Sequence, residues 1–172
     1  MKNIITKLYN KVRIIILRLK YDIGKKYTLS GVVFWDCDQN SIKIGNSVNI
    51  LRNTEICSKS NFPVIIGSNV FVNQRCLIRP NVIIENNVSI GPNVSLMSDS
   101  HEIGSSEKRA GKQSFKQIKI GEGVWIGASS TILGGIEIGN GAVIAAGSVV
   151  TKSCESNCLY AGVPAKKITI LR

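Results

Sequence analysis

His101 is the one histidine in the 172-residue chain, and it closes a run of six hexads. From Ile66 these read Ile-Gly-Ser-Asn-Val-Phe, Val-Asn-Gln-Arg-Cys-Leu, Ile-Arg-Pro-Asn-Val-Ile, Ile-Glu-Asn-Asn-Val-Ser, Ile-Gly-Pro-Asn-Val-Ser and Leu-Met-Ser-Asp-Ser-His. A histidine that ends a repeat at a loop boundary is expected to project its ring from the wall rather than enter the core. There a neutral imidazole is a candidate general base. Asp99, two residues earlier, either orients that ring or faces solvent. The five cysteines, Cys37, Cys57, Cys76, Cys154 and Cys158, form no pair of CxxC motifs. They read as reduced cytosolic thiols, with Cys76 in a small-residue slot of its hexad. With a single histidine, no cysteine or serine has a second imidazole to activate it as a nucleophile.

The elements that must hold His101 follow from the repeat. Ile, Val or Leu recurs at 66, 72, 78, 84, 90 and 96, and again at 120, 126, 132, 138, 144 and 150. A period of six belongs neither to a helix nor to a flat sheet; it is the hexapeptide signature of a β-helix, three hexads to a coil. The leading aliphatics point inward and stack in continuous columns. Gly and Asn after the leader suit the corners. An earlier series at 44, 50 and 56 is out of phase with the first block. The residues between Ile56 and Ile66 therefore include a small corner loop. The repeat pauses from Glu102 to Gln117, a charged stretch without apolar periodicity. The expected fold is all-β, a parallel β-helix of about five coils, with the 102–117 loop placed to shape specificity.

The charge is uneven. The chain carries +11, but residues 1–30 hold eight Lys or Arg against one Asp, or +7. Ile4, Ile5, Leu8, Val12, Ile15, Ile16 and Leu19 fall at helical spacing there. The expected organisation is a basic amphipathic N-terminal helix in residues 1–30 and a β-helix in 31–172. The helix either packs on the main domain or a neighbouring subunit, capping one end of the solenoid, or rests on an anionic membrane surface. Arg13 and Arg18 break the apolar run before it reaches the roughly 20 residues of a membrane span. They also interrupt the core of any signal peptide. The expected location is cytoplasmic, peripheral at the inner face of the cell membrane if the helix binds lipid. Only 6% of residues are aromatic and the main body has no basic motif, which argues against nucleic-acid partners. Residues 168–171 are expected to help cover the far end.

Three stretches make this chain resemble the left-handed parallel β-helix acyltransferases, the hexapeptide-repeat family. They are Ser98-Asp99-Ser100-His101 before the loop, Ile118-Lys119-Ile120-Gly121-Glu122-Gly123-Val124-Trp125-Ile126-Gly127, and Ala146-Gly147-Ser148-Val149-Val150-Thr151-Lys152 with Ala161-Gly162-Val163-Pro164-Ala165-Lys166. The similarity is greatest to the branch of maltose, galactoside and nodulation acetyltransferases and surface-polysaccharide O-acetyltransferases. It implies direct transfer of an acetyl group from acetyl-CoA to a hydroxyl of a sugar or glycan precursor, with His101 as base and no acyl-enzyme. It implies that Asn73 positions the acceptor hydroxyl, the alternative being a corner amide bound to its own backbone. On the donor side it implies that the Ala128 N–H faces the thioester carbonyl, just past Gly127. Trp125 lies near the site or packs outward. Ala146 leaves room for the pantetheine arm. Thr151, Lys152 and Lys166 meet the coenzyme A phosphates, the alternative being a charged terminal coil. It also implies a homotrimer with sites between subunits.

Other readings carry different requirements. An antibiotic or amino-sugar acetyltransferase would share the donor side and differ in acceptor; a noncatalytic scaffold would bind no coenzyme A. The zinc carbonic anhydrases of the same fold need a histidine cluster, so no metal site is expected. Serine acetyltransferases use further acceptor-site His and Asp residues that this chain lacks.

Overall fold

The computed structural model describes Val12 and residues 14–172. Asp22 to Val150 winds as a parallel β-helix whose strands stack into three faces. Face one carries Asp22–Ile23, Ile42–Ile44, Val64–Ile66, Val82–Ile84, Ile118–Ile120 and Glu137–Ile138. Face two carries Thr28–Leu29, Asn49–Ile50, Phe71–Val72, Ser89–Ile90, Trp125–Ile126 and Val143–Ile144, then Cys158–Gly162 and Ala165–Ile170. Face three carries Val33–Cys37, Glu55–Ser58, Leu77–Ile78, Ser95–Met97, Thr131–Leu133 and Val149–Val150. That makes six coils where the hexads alone predict about five. The additional coil is the first, Asp22 to Cys37. Its leaders Ile23 and Leu29 keep the six-residue step, but the helical pattern just before them conceals it.

The hexad leaders form the core as expected. Ile84 pairs with Ile66 and Ile120, Ile90 with Val72 and Ile126, and Leu96 with Ile78 and Ile132; all are buried. Burial of each such side chain contributes about 1.5–3 kcal/mol. Between them the chain turns corners in the left-handed backbone region: Asn69, Asn81, Asn87 and Asn93 all have φ between 58° and 64°. Asparagine tolerates that conformation better than branched residues do. The four extra residues before Ile66 form a small turn in which Lys59 and Phe62 bridge antiparallel.

The break after Met97 is an antiparallel hairpin rather than an irregular loop. Asp99–Ile103 pairs with Ala110–Phe115, with a register shift between His101 and Ile103. Its faces are mostly solvated and Ile103 is exposed, so no apolar alternation marked it in the sequence. The ladder resumes without slippage, with Val82 opposite Ile118. At the hairpin base, Phe115 stacks on Phe62 with ring centroids 4.5 Å apart.

The helix ends before the boundary expected at residue 30. Residues 14–20 are helical, and the first strand starts at Asp22. Leu17 and Tyr21 join Leu29 and Val32 of the first coil in the core, so the helix does close that end. The expected apolar stripe is not the packed side: Val12, Ile15, Ile16 and Leu19 all face solvent. Ile4, Ile5 and Leu8 lie outside the described residues. The other end also differs from expectation. Ala165–Ile170 adds an edge strand to face two with Ile168 and Ile170 exposed, while Cys154, Cys158 and Tyr160 close the column.

Candidate active site

His101 sits on the hairpin strand opposite Gln113. Its Nδ1 lies 2.9 Å from the Gly111 carbonyl oxygen on the facing strand. A carbonyl can only accept, so Nδ1 carries the proton of the neutral ring and Nε2 keeps its lone pair. The ring is exposed at the mouth of a hollow of about 640 Å³, whose walls include Ser98, Glu102, Lys116, Leu133 and Gly134.

Asp99 does not hold the imidazole. Arg79 Nε donates to its two carboxylate oxygens at 2.9 and 3.0 Å, and the Arg79 guanidinium lies 4.8 Å from the centre of the Trp35 ring. The Arg79 hydrogen bond holds the Asp99 carboxyl below the usual carboxylate range, against the opposing effect of burial. Three coils are thereby tied together at the root of the hairpin. The sequence carried a signal for this: Arg79 follows Ile78 in a slot that Gly fills in other hexads.

A second hollow, of about 650 Å³, runs along face two, where Phe71, Trp125, Val143 and Leu159 line an outward apolar surface. Trp125 is 57% exposed, and its backbone pairs with Ser89 and Val143. Asn73, Gly127, Ala128 and Ala146 line the same hollow. Asn73 Oδ1 accepts from the Gln74 N–H at 2.8 Å, the corner amide arrangement, which leaves its NH2 without an acceptor in the chain among the described residues.

The corners after face one and after face two treat their N–H groups differently. After face one, four corner N–H groups are capped by a side chain from the next coil: Lys25 by Asn46 Oδ1 at 2.7 Å, Asn46 by Ser68 Oγ at 3.0 Å, Ser68 by Asn86 Oδ1 at 2.8 Å, and Glu122 by Asn140 Oδ1 at 3.1 Å. After face two, the equivalent residues of successive coils are Pro92, Ala128 and Ala146. Proline has no N–H, and Ala146 has no side-chain acceptor to offer Ala128. Among the described residues, neither the Ala128 nor the Ala146 N–H donates within the chain. An open backbone N–H at the rim of an apolar hollow is a ready donor to an oxygen that gains negative charge. Gly127 is required for the close stacking, because a Cβ there would lie 2.5 Å from the Ala146 nitrogen.

The width of face three separates the two hollows within one chain, so Asn73 and His101 are not brought together. Thr151, Lys152 and Lys166 are exposed toward the C-terminal end and line neither hollow. Lys166 lies opposite Ala161 on the edge strand, and its neighbour Lys167 pairs with Glu155 at 2.7 Å. No group of three or more His, Cys, Asp or Glu among the described residues is placed to hold a metal ion.

The model of the bacterial transferase hexapeptide (six repeats) matches residues 63–97 and 117–152, the blocks on either side of the hairpin. Galactoside O-acetyltransferase of Escherichia coli K12 is 39% identical over 146 residues, covering 85% of this chain and 62% of that protein. Galactoside O-acetyltransferase of Lactococcus lactis is 33% identical over 116 residues, covering 67% of this chain and 50% of that protein. The chain thus spans between half and about three-fifths of the length of these curated relatives. Among solved structures, AntD, an N-acyltransferase from Bacillus cereus in complex with dTDP and 3-hydroxybutyryl-CoA, superposes with a TM-score of 0.77 at 20% identity. The match covers 93% of this chain and 88% of that one. At that identity the likeness is one of fold. With leaders stacked in three columns and both repeat blocks matched, the chain belongs to the hexapeptide-repeat family.

Proposed function

We propose that the protein is an acetyl-CoA-dependent O-acetyltransferase that acts on a hydroxyl of a sugar or surface-glycan precursor. The observation that carries this reading is that one chain holds two prepared groups. His101 has its tautomer set by Gly111, and the Ala128 N–H is left open by alanine at 146. Similarity to two galactoside O-acetyltransferases favours a sugar hydroxyl as acceptor. A noncatalytic scaffold gives no reason for an exposed imidazole with a fixed tautomer beside a hollow.

In this mechanism His101 Nε2 takes the proton of the acceptor hydroxyl as its oxygen bonds to the thioester carbonyl carbon. The Ala128 N–H donates to the carbonyl oxygen as it becomes an oxyanion. The carbon–sulfur bond then breaks, and the imidazolium returns its proton to the departing thiolate. Asn73 uses its free NH2 to position the acceptor. Trp125 and the face-two surface bed the pantetheine arm, with Ala146 leaving room for it. Lys152 and Lys166 bind the phosphates as point charges, and the Thr151 hydroxyl donates a hydrogen bond to them. No acyl-enzyme forms. Asp99 acts with Arg79 as a positioning residue that fixes the strand carrying His101.

Because the two hollows open on different sides, a complete site needs the His101 hollow of one chain against the Ala128 corner of another. A homotrimer with three such junctions meets that need. In the same reading, the basic N-terminal segment brings the enzyme to the anionic inner face of the cell membrane. An acceptor screen tests the proposal, with simple sugars, nucleotide sugars, oligosaccharides and antibiotics incubated with acetyl-CoA and read by mass spectrometry. One acetyl group gained on a sugar hydroxyl is expected. Acetylation of an amine or an antibiotic alone would overturn the acceptor class, and no coenzyme A binding would overturn the enzyme.

A further inference from the structure

The helix of residues 14–20 turns its apolar stripe away from the body of the protein. Val12, Ile15, Ile16 and Leu19 stand at i, i+3, i+4 and i+7, the spacing of one helix face. Their exposures are 49%, 59%, 57% and 76%. The opposite side is fixed. Leu17 is in the core with Tyr21 and Leu29, Arg18 donates to the Gly24 carbonyl at 3.1 Å, and the Arg18 guanidinium lies 5.6 Å from the centre of the Tyr27 ring. Rotating the helix to bury the stripe would break this anchoring. Lys20, Lys25 and Lys26 are exposed at the same end of the molecule, and Asp22 is the one acidic residue among the first thirty. No helix among the described residues is long and apolar enough to cross a membrane.

We infer that Val12, Ile15, Ile16 and Leu19 form an interfacial docking face for an anionic lipid bilayer, lying in the headgroup layer at the basic end of the chain. An apolar face on a segment of net charge +7 matches that surface in both chemistry and charge. A second copy of the chain is a poorer occupant, because closing the stripe on itself would juxtapose two segments of +7 each, and like charges across an interface oppose association. The consequence for function rests on the acetyltransferase reading. On face three, His101 follows the fourth strand from the helix end, three strand steps or about 14 Å along the prism. Docking by the first coil therefore keeps the base near the surface, within reach of an acceptor held on the same bilayer by a lipid anchor.

The test uses the full chain and Ile15→Ser/Ile16→Ser/Leu19→Ser, whose altered side chains are all exposed. Each is co-sedimented with vesicles of phosphatidylcholine and phosphatidylglycerol, and with vesicles of phosphatidylcholine alone. The wild type should bind the anionic vesicles, release with added salt, and leave neutral vesicles nearly unbound. The triple variant should bind at least about tenfold more weakly and keep its subunit assembly by light scattering and its vesicle-free thiol release from acetyl-CoA. Equal binding by both proteins, or binding by neither, overturns the proposal. Loss of subunit assembly in the variant without vesicles gives the stripe to a second copy and also overturns it. A wild type that binds vesicles yet releases no thiol with any acceptor would sink the acetyltransferase reading and leave the docking face standing.

Discussion

His101 takes its orientation from a backbone carbonyl: its Nδ1–H donates to Gly111 O at 2.9 Å across the hairpin. Geometry of the base therefore depends on hairpin pairing. A Cβ at Gly111 would lie 2.9 Å from the Glu102 carbonyl oxygen and 3.2 Å from the Gly104 nitrogen. Gly111→Val is expected to force the strands apart and lower kcat by about tenfold or more, since a small misplacement of a reacting group is costly. The KM for acetyl-CoA should stay nearly constant, because the donor hollow lies on another face. Steady-state kinetics with the acceptor found in the screen would check this split.

Asp99 and Arg79 lock the hairpin root, and each is largely buried. Arg79→Ala leaves a carboxylate without its partner and is expected to cost about 2–4 kcal/mol, near the value for breaking a buried pair. The pH dependence has a definite sign. The Asp99 carboxyl is held low in the folded protein, so its contribution is present above the unfolded value near 3.9 and is lost as pH falls through the folded value. Thermal melts should show the wild-type advantage over Asp99→Asn at pH 7 shrinking toward pH 3. An advantage that persists at low pH would remove the ion pair from the account.

Ala146 keeps the Ala128 N–H open by having no acceptor. Ala146→Ser or Ala146→Asn would place there the cap that Ser68 and Asn86 supply at other corners. Turnover should fall by about 10²-fold, approaching the loss of an oxyanion donor. The melting temperature should be unchanged or higher. A capped variant with full activity would show that this N–H plays no part in the transfer.

Core columns respond differently. Ile90 is buried between Val72 and Ile126 in the coil next to the hairpin. Ile90→Ala is expected to lose about 2–5 kcal/mol. Denaturant unfolding measures this directly, and the remaining folded protein should retain its turnover per folded molecule.

The parts of the fold legible in the sequence were those governed by a single repeated constraint. A leader every six residues must reach the axis, so Ile66 to Leu96 and Ile120 to Val150 fell into the expected columns. The first coil was obscured because Ile23 and Leu29 follow directly on a helical apolar pattern. The hairpin was hidden because its pairing is made by backbone groups while Ile103 and much of its surface stay in solvent. The histidine was legible as a residue, and its partner was not. Gly111 contributes a carbonyl, which any residue has, whereas Asp99 offered a side chain that proved committed to Arg79. The open Ala128 amide emerges only once coils are aligned, when three successive corner positions read Pro92, Ala128 and Ala146.

The central claim is that His101 is the base of a direct acetyl transfer. The most direct measurement is acceptor-dependent thiol release from acetyl-CoA by the wild type and by His101→Ala, with circular dichroism and coenzyme A affinity measured on both. The account predicts a loss of about 10²–10⁴-fold in turnover, with fold and coenzyme A binding retained. Turnover in His101→Ala equal to the wild type would contradict it.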